Sequence, residues 1–353
     1  MPAPHGSRRI STLVAALGAL IAVTACSAGG GGTDGAGAGT DGKTVRIAYQ
    51  AFPSGDLIVK EKGWLEKALP GYTIKWIKFD SGATINTAFV AGSVDLAAIG
   101  SSPVARGLSE PLHIPYQVTW VLDVAGDNEA LVARKGSGVK SVKDLVGRKV
   151  ATPFSSTSHY SLLAALDQAG VDASKVTLLD LEPQDIAAAW ARGDIDAAYV
   201  WLPTLDELKK NGTTLLSSRD LAKAGKPTLD LGVASTRFIE KRPEVIGAWR
   251  KAQARALDLI HDEPPAAAEA VGKQLGIAPG EAAAQLEQGI FLKPAEQADD
   301  KWLGRPGRVG GLAGNLRSAA EFLAGQKQIP AAPGLAELEK AVYVEGLPDA
   351  VAE

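Results

Sequence analysis

Strand-like segments alternate with helical ones from Lys43 to about Ser235, and this alternation limits the fold more than any other feature. Lys43–Gln50 (KTVRIAYQ) places Val45, Ile47 and Tyr49 on one face and Arg46 and Ala48 on the other, the period-two pattern of a strand. Asp56–Leu69 reads as a helix, Tyr72–Phe79 as a strand and Ala83–Ala91 as a helix. Val94–Ile99 reads as a short buried strand, Pro103–Leu108 as a helical turn and Tyr116–Leu122 as a strand. A helix after every strand predicts a mostly parallel sheet covered on both faces. The pattern restarts at Glu129–Arg134 and runs through strands at Lys149–Thr152, Val176–Leu181 and Ala197–Trp201, with helices between and after them. Thr228–Ser235 is predicted to return to the first sheet, and from Pro243 onward the chain reads as almost all helix. A body of this length exceeds the usual single core, so two lobes are expected. They are residues 43–125 with 233–353, and residues 126–232. Two chain crossings would form a hinge, as in a clamshell that closes.

The N-terminal forty residues stand apart. Arg8 and Arg9 precede an uncharged, mostly apolar run, Ile10–Ala25, which is too short for a comfortable membrane span. Residues 1–25 are therefore expected to be a signal peptide. The run ends in Val23-Thr24-Ala25-Cys26, and Cys26 is the only cysteine in the chain. Small residues before a cysteine resemble a bacterial lipobox, which implies lipidation at Cys26 and anchoring at the extracytoplasmic face of the cell membrane. Residues 26–42 are rich in Gly and hold no large apolar side chain, as a flexible tether does.

Composition removes several function classes. The chain is 46% hydrophobic and 22% charged with a net charge of −3, so it folds, but it offers no basic surface for nucleic acid. One cysteine excludes an internal disulfide framework and a thiolate-rich metal site. The four histidines show no ligand spacing, and no P-loop or dinucleotide glycine motif is present. Neither metal nor cofactor is expected.

Seven stretches occur in an order that resembles one family. They are AYQ (Ala48–Gln50), FDSGA (Phe79–Ala83), GSSP (Gly100–Pro103), NEALV (Asn128–Val132), STSHYSLLAAL (Ser156–Leu166), AAWARGDIDAAYVW (Ala188–Trp201) and PTLD (Pro227–Asp230). The chain resembles the taurine-binding proteins of ABC importers, within the nitrate, sulfonate and taurine group of solute-binding proteins. The resemblance implies an α/β clamshell of the type II periplasmic-binding kind. It implies a small sulfonate in the cleft, delivery to an ABC permease and its ATPase, a monomer, and no catalysis. It points to Ser81, Ser102 and Thr157 as ligand donors. Members of the family often carry an acid a few residues after AYQ. Ser54 stands there in this chain, with Asp56 nearby, and Gln50 and Ser54 are secondary candidates.

The residues themselves suit such a ligand. A sulfonate calls for neutral donors, and helix N-termini supply free N–H groups and a favourable dipole. Three predicted strand-to-helix junctions are rich in Ser, Thr and Gly: Ser81-Gly82-Ala83-Thr84, Ser101-Ser102-Pro103 and Ser155-Ser156-Thr157-Ser158. Each fits equally a plain helix cap. Gly82 suits close ligand approach or a simple turn. His159, in a first helical turn, suits a neutral donor or a cap. Trp201, at a strand end, suits the ligand's methylenes or ammonium, or hinge packing. Asp230 lies in an apolar strand, where an unpaired carboxylate is costly; an ammonium or a structural arginine would offset that. Glu129, Glu182 and Asp185 read as structural or solvated. Another alkanesulfonate or a sulfate ester is the alternative ligand. A cleft enzyme on the same fold is the alternative class, but its sulfinate-cleaving form needs a cleft cysteine, and Cys26 precedes the folded body.

Overall fold

The computed structural model describes residues 43–351. The expectations for the signal peptide, for Cys26 and for the tether fall outside them.

The chain opens with β1 (Thr44–Gln50), then α1 (Gly55–Lys62) and α2 (Trp64–Ala68). The expected single helix is split because Gly63 adopts a left-handed conformation at φ 59° and caps α1. β2 (Thr73–Phe79), α3 (Gly82–Val90), β3 (Leu96–Gly100), α4 (Ser101–Leu108) and β4 (Tyr116–Val124) complete the first passage. The second begins with β5 (Glu129–Arg134), β6 (Lys149–Thr152) and α5 (Thr157–Gln168). It continues through β7 (Thr177–Asp180), α6 (Pro183–Arg192), β8 (Ala197–Trp201), α7 (Thr204–Lys209), β9 (Gly212–Ser217) and α8 (Ser218–Lys223). β10 (Leu229–Ser235), α9 (Thr236–Lys241) and α10 (Pro243–Asp262) follow. Then come α11 (Pro264–Leu275), α12 (Pro279–Leu286) and α13 (Leu312–Gly325).

Two five-stranded sheets result, ordered β2-β1-β3-β10-β4 and β7-β6-β8-β5-β9. The molecule is thus a two-lobed α/β clamshell of type II. The chain leaves the first sheet after β4 and returns to it at β10, two crossings joined by the Ala125 N–H donating to Thr228 O at 3.0 Å. The expectation of mostly parallel sheets is corrected. β10 runs antiparallel to both β3 and β4, and β5 runs antiparallel to both β8 and β9. Side-chain periodicity carries no strand direction, so nothing in the sequence distinguished these cases.

The central strands are near-continuous apolar runs because helices cover both faces. Leu96–Gly100 of β3 is buried throughout, as is nearly all of β4. α10 lays Val245, Trp249, Ala252 and Leu257 into the first core. Gly232 of β10 gives Trp249 its place: a Cβ there would lie 2.1 Å from the indole. These packed sheets fix the strand ends that face the cleft.

Candidate functional site

A cavity opens between the two lobes. Gln50, Gly82 and Gly100 approach it from the first lobe, and Glu129, Thr157 and Trp201 from the second; Asp230 lines it from β10.

Three helices begin at this cavity: α3 at Gly82, α4 at Ser101 after its cap Gly100, and α5 at Thr157 after its cap Ser156. Their first amides have no acceptor within their own helices, so positive dipole ends converge on one space. Strand pairing arranges this. Gly100 ends β3 directly opposite Asp230 on β10, which also holds the start of α4 beside that carboxyl.

The opposite character is built at the same place. Asp230 pairs with Asp123 of β4 across the ladder, and Glu129 opens β5 nearby. All three carboxyls are buried, and burial raises the pKa of each, that of Asp230 to about 7. Glu129 is the best supplied. Thr157 Oγ1 and Ser158 Oγ donate to its Oε2 at 2.5 and 2.9 Å, and Ser218 Oγ donates to its Oε1 at 2.6 Å. Those hydroxyls pull its pKa back down. Among the described residues no cation sets the pKa of any of the three. A cluster of buried acids without a counter-charge is expensive in a ligand-free protein.

The residues singled out from sequence divide into groups. Gln50, Gly82, Thr157, Trp201 and Asp230 line the cavity. Gln50 Nε2 donates to Ala98 O at 3.3 Å, which fixes its side chain beside β3. Ser81, Ser101, Ser102, Ser158 and His159 are buried but do not line it. Ser81 Oγ donates to Glu182 Oε1 at 2.9 Å, Ser101 Oγ accepts from the Leu229 amide at 3.1 Å, and Ser158 serves Glu129. The hydroxyls of Ser81 and Thr157 are thus occupied by carboxylates, which leaves the helix amides as the more available anion donors. His159 stacks on Phe154 at 4.4 Å, and its Nδ1 accepts from the Ser155 amide at 3.2 Å. Burial lowers its pKa to about 4, so it is neutral. Ser54, buried at the cap of α1, does not line the cavity, and among the described residues its hydroxyl has no hydrogen-bond partner.

Glu129 read as structural in the sequence, yet it lines the cavity. Asp123 was overlooked. Its signal was the same as that of Asp230, a lone acid in an apolar run, here TWVLDV.

Comparison with known proteins agrees with this architecture. The chain is 34% identical over 293 residues to the taurine-binding periplasmic protein of Escherichia coli, covering 81% of this chain and 88% of the relative. It is 31% identical over 235 residues to a putative aliphatic sulfonates-binding protein of Bacillus subtilis, covering 66% and 70%. The crystal structure of the periplasmic aliphatic sulphonate binding protein from Escherichia coli superposes with a TM-score of 0.67 at 22% identity, over 85% of this chain and 97% of that one. The model of the NMT1/THI5-like family matches residues 54–267, more than half of the sequence. The chain therefore belongs to the NMT1/THI5-like family.

Proposed function

We propose that this protein is an extracytoplasmic solute-binding protein that captures taurine, 2-aminoethanesulfonate, and passes it unchanged to an ABC permease with its ATPase. The observation that carries this reading is the cleft's two-ended chemistry. Three helix N-termini converge where a sulfonate would be held, and buried carboxyls without a cation lie beside them, where an ammonium would supply the missing charge. The names of the relatives support a small sulfonate as the ligand.

In this reading the amides of α3, α4 and α5 hold the sulfonate. Asp230 and Glu129 face the ammonium, and Trp201 covers the two methylenes. Capture proceeds by closure of residues 43–125 and 233–353 on residues 126–232, acting as a monomer. Cys26 carries the lipid that tethers the protein outside the membrane.

Calorimetric titration with taurine, glycine betaine, ethanesulfonate and sulfate tests the proposal. Taurine should bind most tightly, because it alone offers both a sulfonate and an ammonium. Equal or tighter binding of ethanesulfonate would replace taurine by another alkanesulfonate. For the anchor, Cys26→Ala should move the protein to the soluble fraction with its ligand affinity intact, and membrane retention of that variant would reject lipidation there.

A further inference from the structure

Asp123 is a fully buried carboxyl to which the proposed reading gives no part. It sits opposite Asp230 on neighbouring antiparallel strands. Both of its oxygens are closed off from solvent and, among the described residues, neither receives a hydrogen bond from a donor group; its neighbour across the ladder is Asp230, another buried carboxyl. Two carboxylates offer each other only lone pairs, so a close contact between them needs a proton.

Among the described residues the surroundings offer no other way to neutralise the pair. Glu129 of β5 faces it and adds negative charge. Tyr199 of β8 is hydrogen-bonded to Ser218 instead. From α4, Ser101 meets the Leu229 amide, and Arg106 reaches Ser155 of the other lobe at 2.8 Å. His159 of α5 is neutral and turned to Phe154. From α10, Arg250 donates to the carbonyls of Thr119, Tyr343 and Glu345. α9, with Arg237, Glu240 and Lys241, follows Ser235 and so begins at the end of β10 remote from Asp230.

We propose that Asp123 and Asp230 share one proton in the ligand-free protein, and that an ammonium-bearing ligand expels it to solvent on binding. The second half rests on the reading that the cleft takes an amine at Asp230. In the exchange one carboxyl O–H bond breaks and the proton passes to water. The ammonium N–H groups then supply the donors and the charge that the proton had provided. A sulfonate without an ammonium leaves the proton in place. Asp123 thereby becomes a specificity residue that never touches the ligand: it ties the preference for aminosulfonates to pH. Where the pair is protonated, taurine affinity should rise about tenfold per pH unit, whereas ethanesulfonate affinity should not rise.

Two measurements on the full chain decide the matter. Titration calorimetry in buffers of different ionisation enthalpy should show about one proton released per taurine near pH 6 and none for ethanesulfonate. Asp123→Asn, which donates to Asp230 through an amide that cannot leave, should bind taurine without proton release. Isotope-edited infrared spectroscopy of Asp-labelled, ligand-free protein should show a protonated carboxyl that taurine removes and that Asp123→Asn lacks. Taurine binding with no proton release in the wild type, or no protonated carboxyl that depends on Asp123 near neutral pH, overturns the proposal. If taurine gives no binding heat, the infrared band separates the two ideas. A band that depends on Asp123 sustains the shared proton and rejects only the amine-binding reading.

Discussion

Ser81, the cap of α3, and Glu182, the cap of α6, meet across the mouth of the cleft, with Ser81 Oγ donating to Glu182 Oε1 at 2.9 Å. A second bridge joins Arg106 Nη1 to Ser155 Oγ at 2.8 Å. Ser155 holds its side chain in place from a left-handed backbone at φ 59°, an uncommon conformation for serine. Each bridge joins a helix whose strand belongs to one sheet to a segment belonging to the other, so both exist only while the lobes are closed.

Removing the first bridge should therefore act on dissociation. Ser81→Ala leaves Glu182 buried with less compensation, and the loss of a hydrogen bond to a charged group is typically about 1.5–3 kcal/mol. Glu182 is only half-buried, so a weakening of about three- to tenfold is the reasonable expectation, carried mostly by a faster off-rate. Taurine and ethanesulfonate should be affected alike. Stopped-flow release measurements would show this, and unchanged off-rates would mean that the contact is incidental to closure.

Asp230→Asn separates charge from shape at the amine end. The substitution should reduce taurine affinity by roughly 2–4 kcal/mol, since an ammonium would be desolvated without a full counter-charge. Ethanesulfonate should lose little or gain. The ratio of the two affinities is the diagnostic, because a folding defect would lower both. An unchanged ratio would move the amine to Glu129 alone.

Much of this architecture could be read from the sequence, since strand and helix periods alternate visibly and the junction residues are small and polar. The strand Gly212–Ser217 escaped because it is an edge with a largely open pattern, Thr213 and Thr214 being exposed. The cleft was only partly legible. Sequence reasoning marked Ser81, Ser102 and Thr157 as ligand donors, but could not know that carboxylates in the fold would receive the hydroxyls of Ser81 and Thr157. Which acid faces a cavity depends on strand order, and the pairing of Asp123 with Asp230 joins residues 107 positions apart.

Stability should rise as the pH falls from about 8 to about 5, before general acid unfolding begins. Asp56 is fully buried, and desolvation raises its pKa to about 7, with Gln253 and Trp249 only partly offsetting that. The native state therefore holds a proton that the unfolded chain releases near pH 4. This contribution is complete below the unfolded value and disappears as the pH rises through about 7; at most it is about 4 kcal/mol. Asp230 shifts in the same direction. Calorimetric melting of ligand-free protein should give a higher Tm at about pH 5 than at about pH 8, and Asp56→Asn should shrink that difference. An equal slope in the variant would assign the effect to the other buried acids.

Gly100 offers a steric test of closure that leaves every polar contact in place. It caps α4 with φ −67° and ψ 154°, a conformation open to any residue, so alanine brings no backbone strain. A Cβ there, however, would stand 2.5 Å from Cγ2 of Thr157 on the other lobe. Such a contact is too short for two carbon atoms, and both are held by packed elements, so the lobes rather than the side chains must give way. Gly100→Ala should thus hold the cleft ajar and weaken every ligand by about tenfold or more, while the Tm of ligand-free protein changes little. Thr157→Ser deletes the offending methyl and keeps the hydroxyl that donates to Glu129, so the double variant should recover most of the lost affinity. A double-mutant cycle on taurine affinity, with small-angle scattering to follow closure, reads the coupling directly. Additive losses would show that the lobes do not close on this pair and that Gly100 matters only to its own helix.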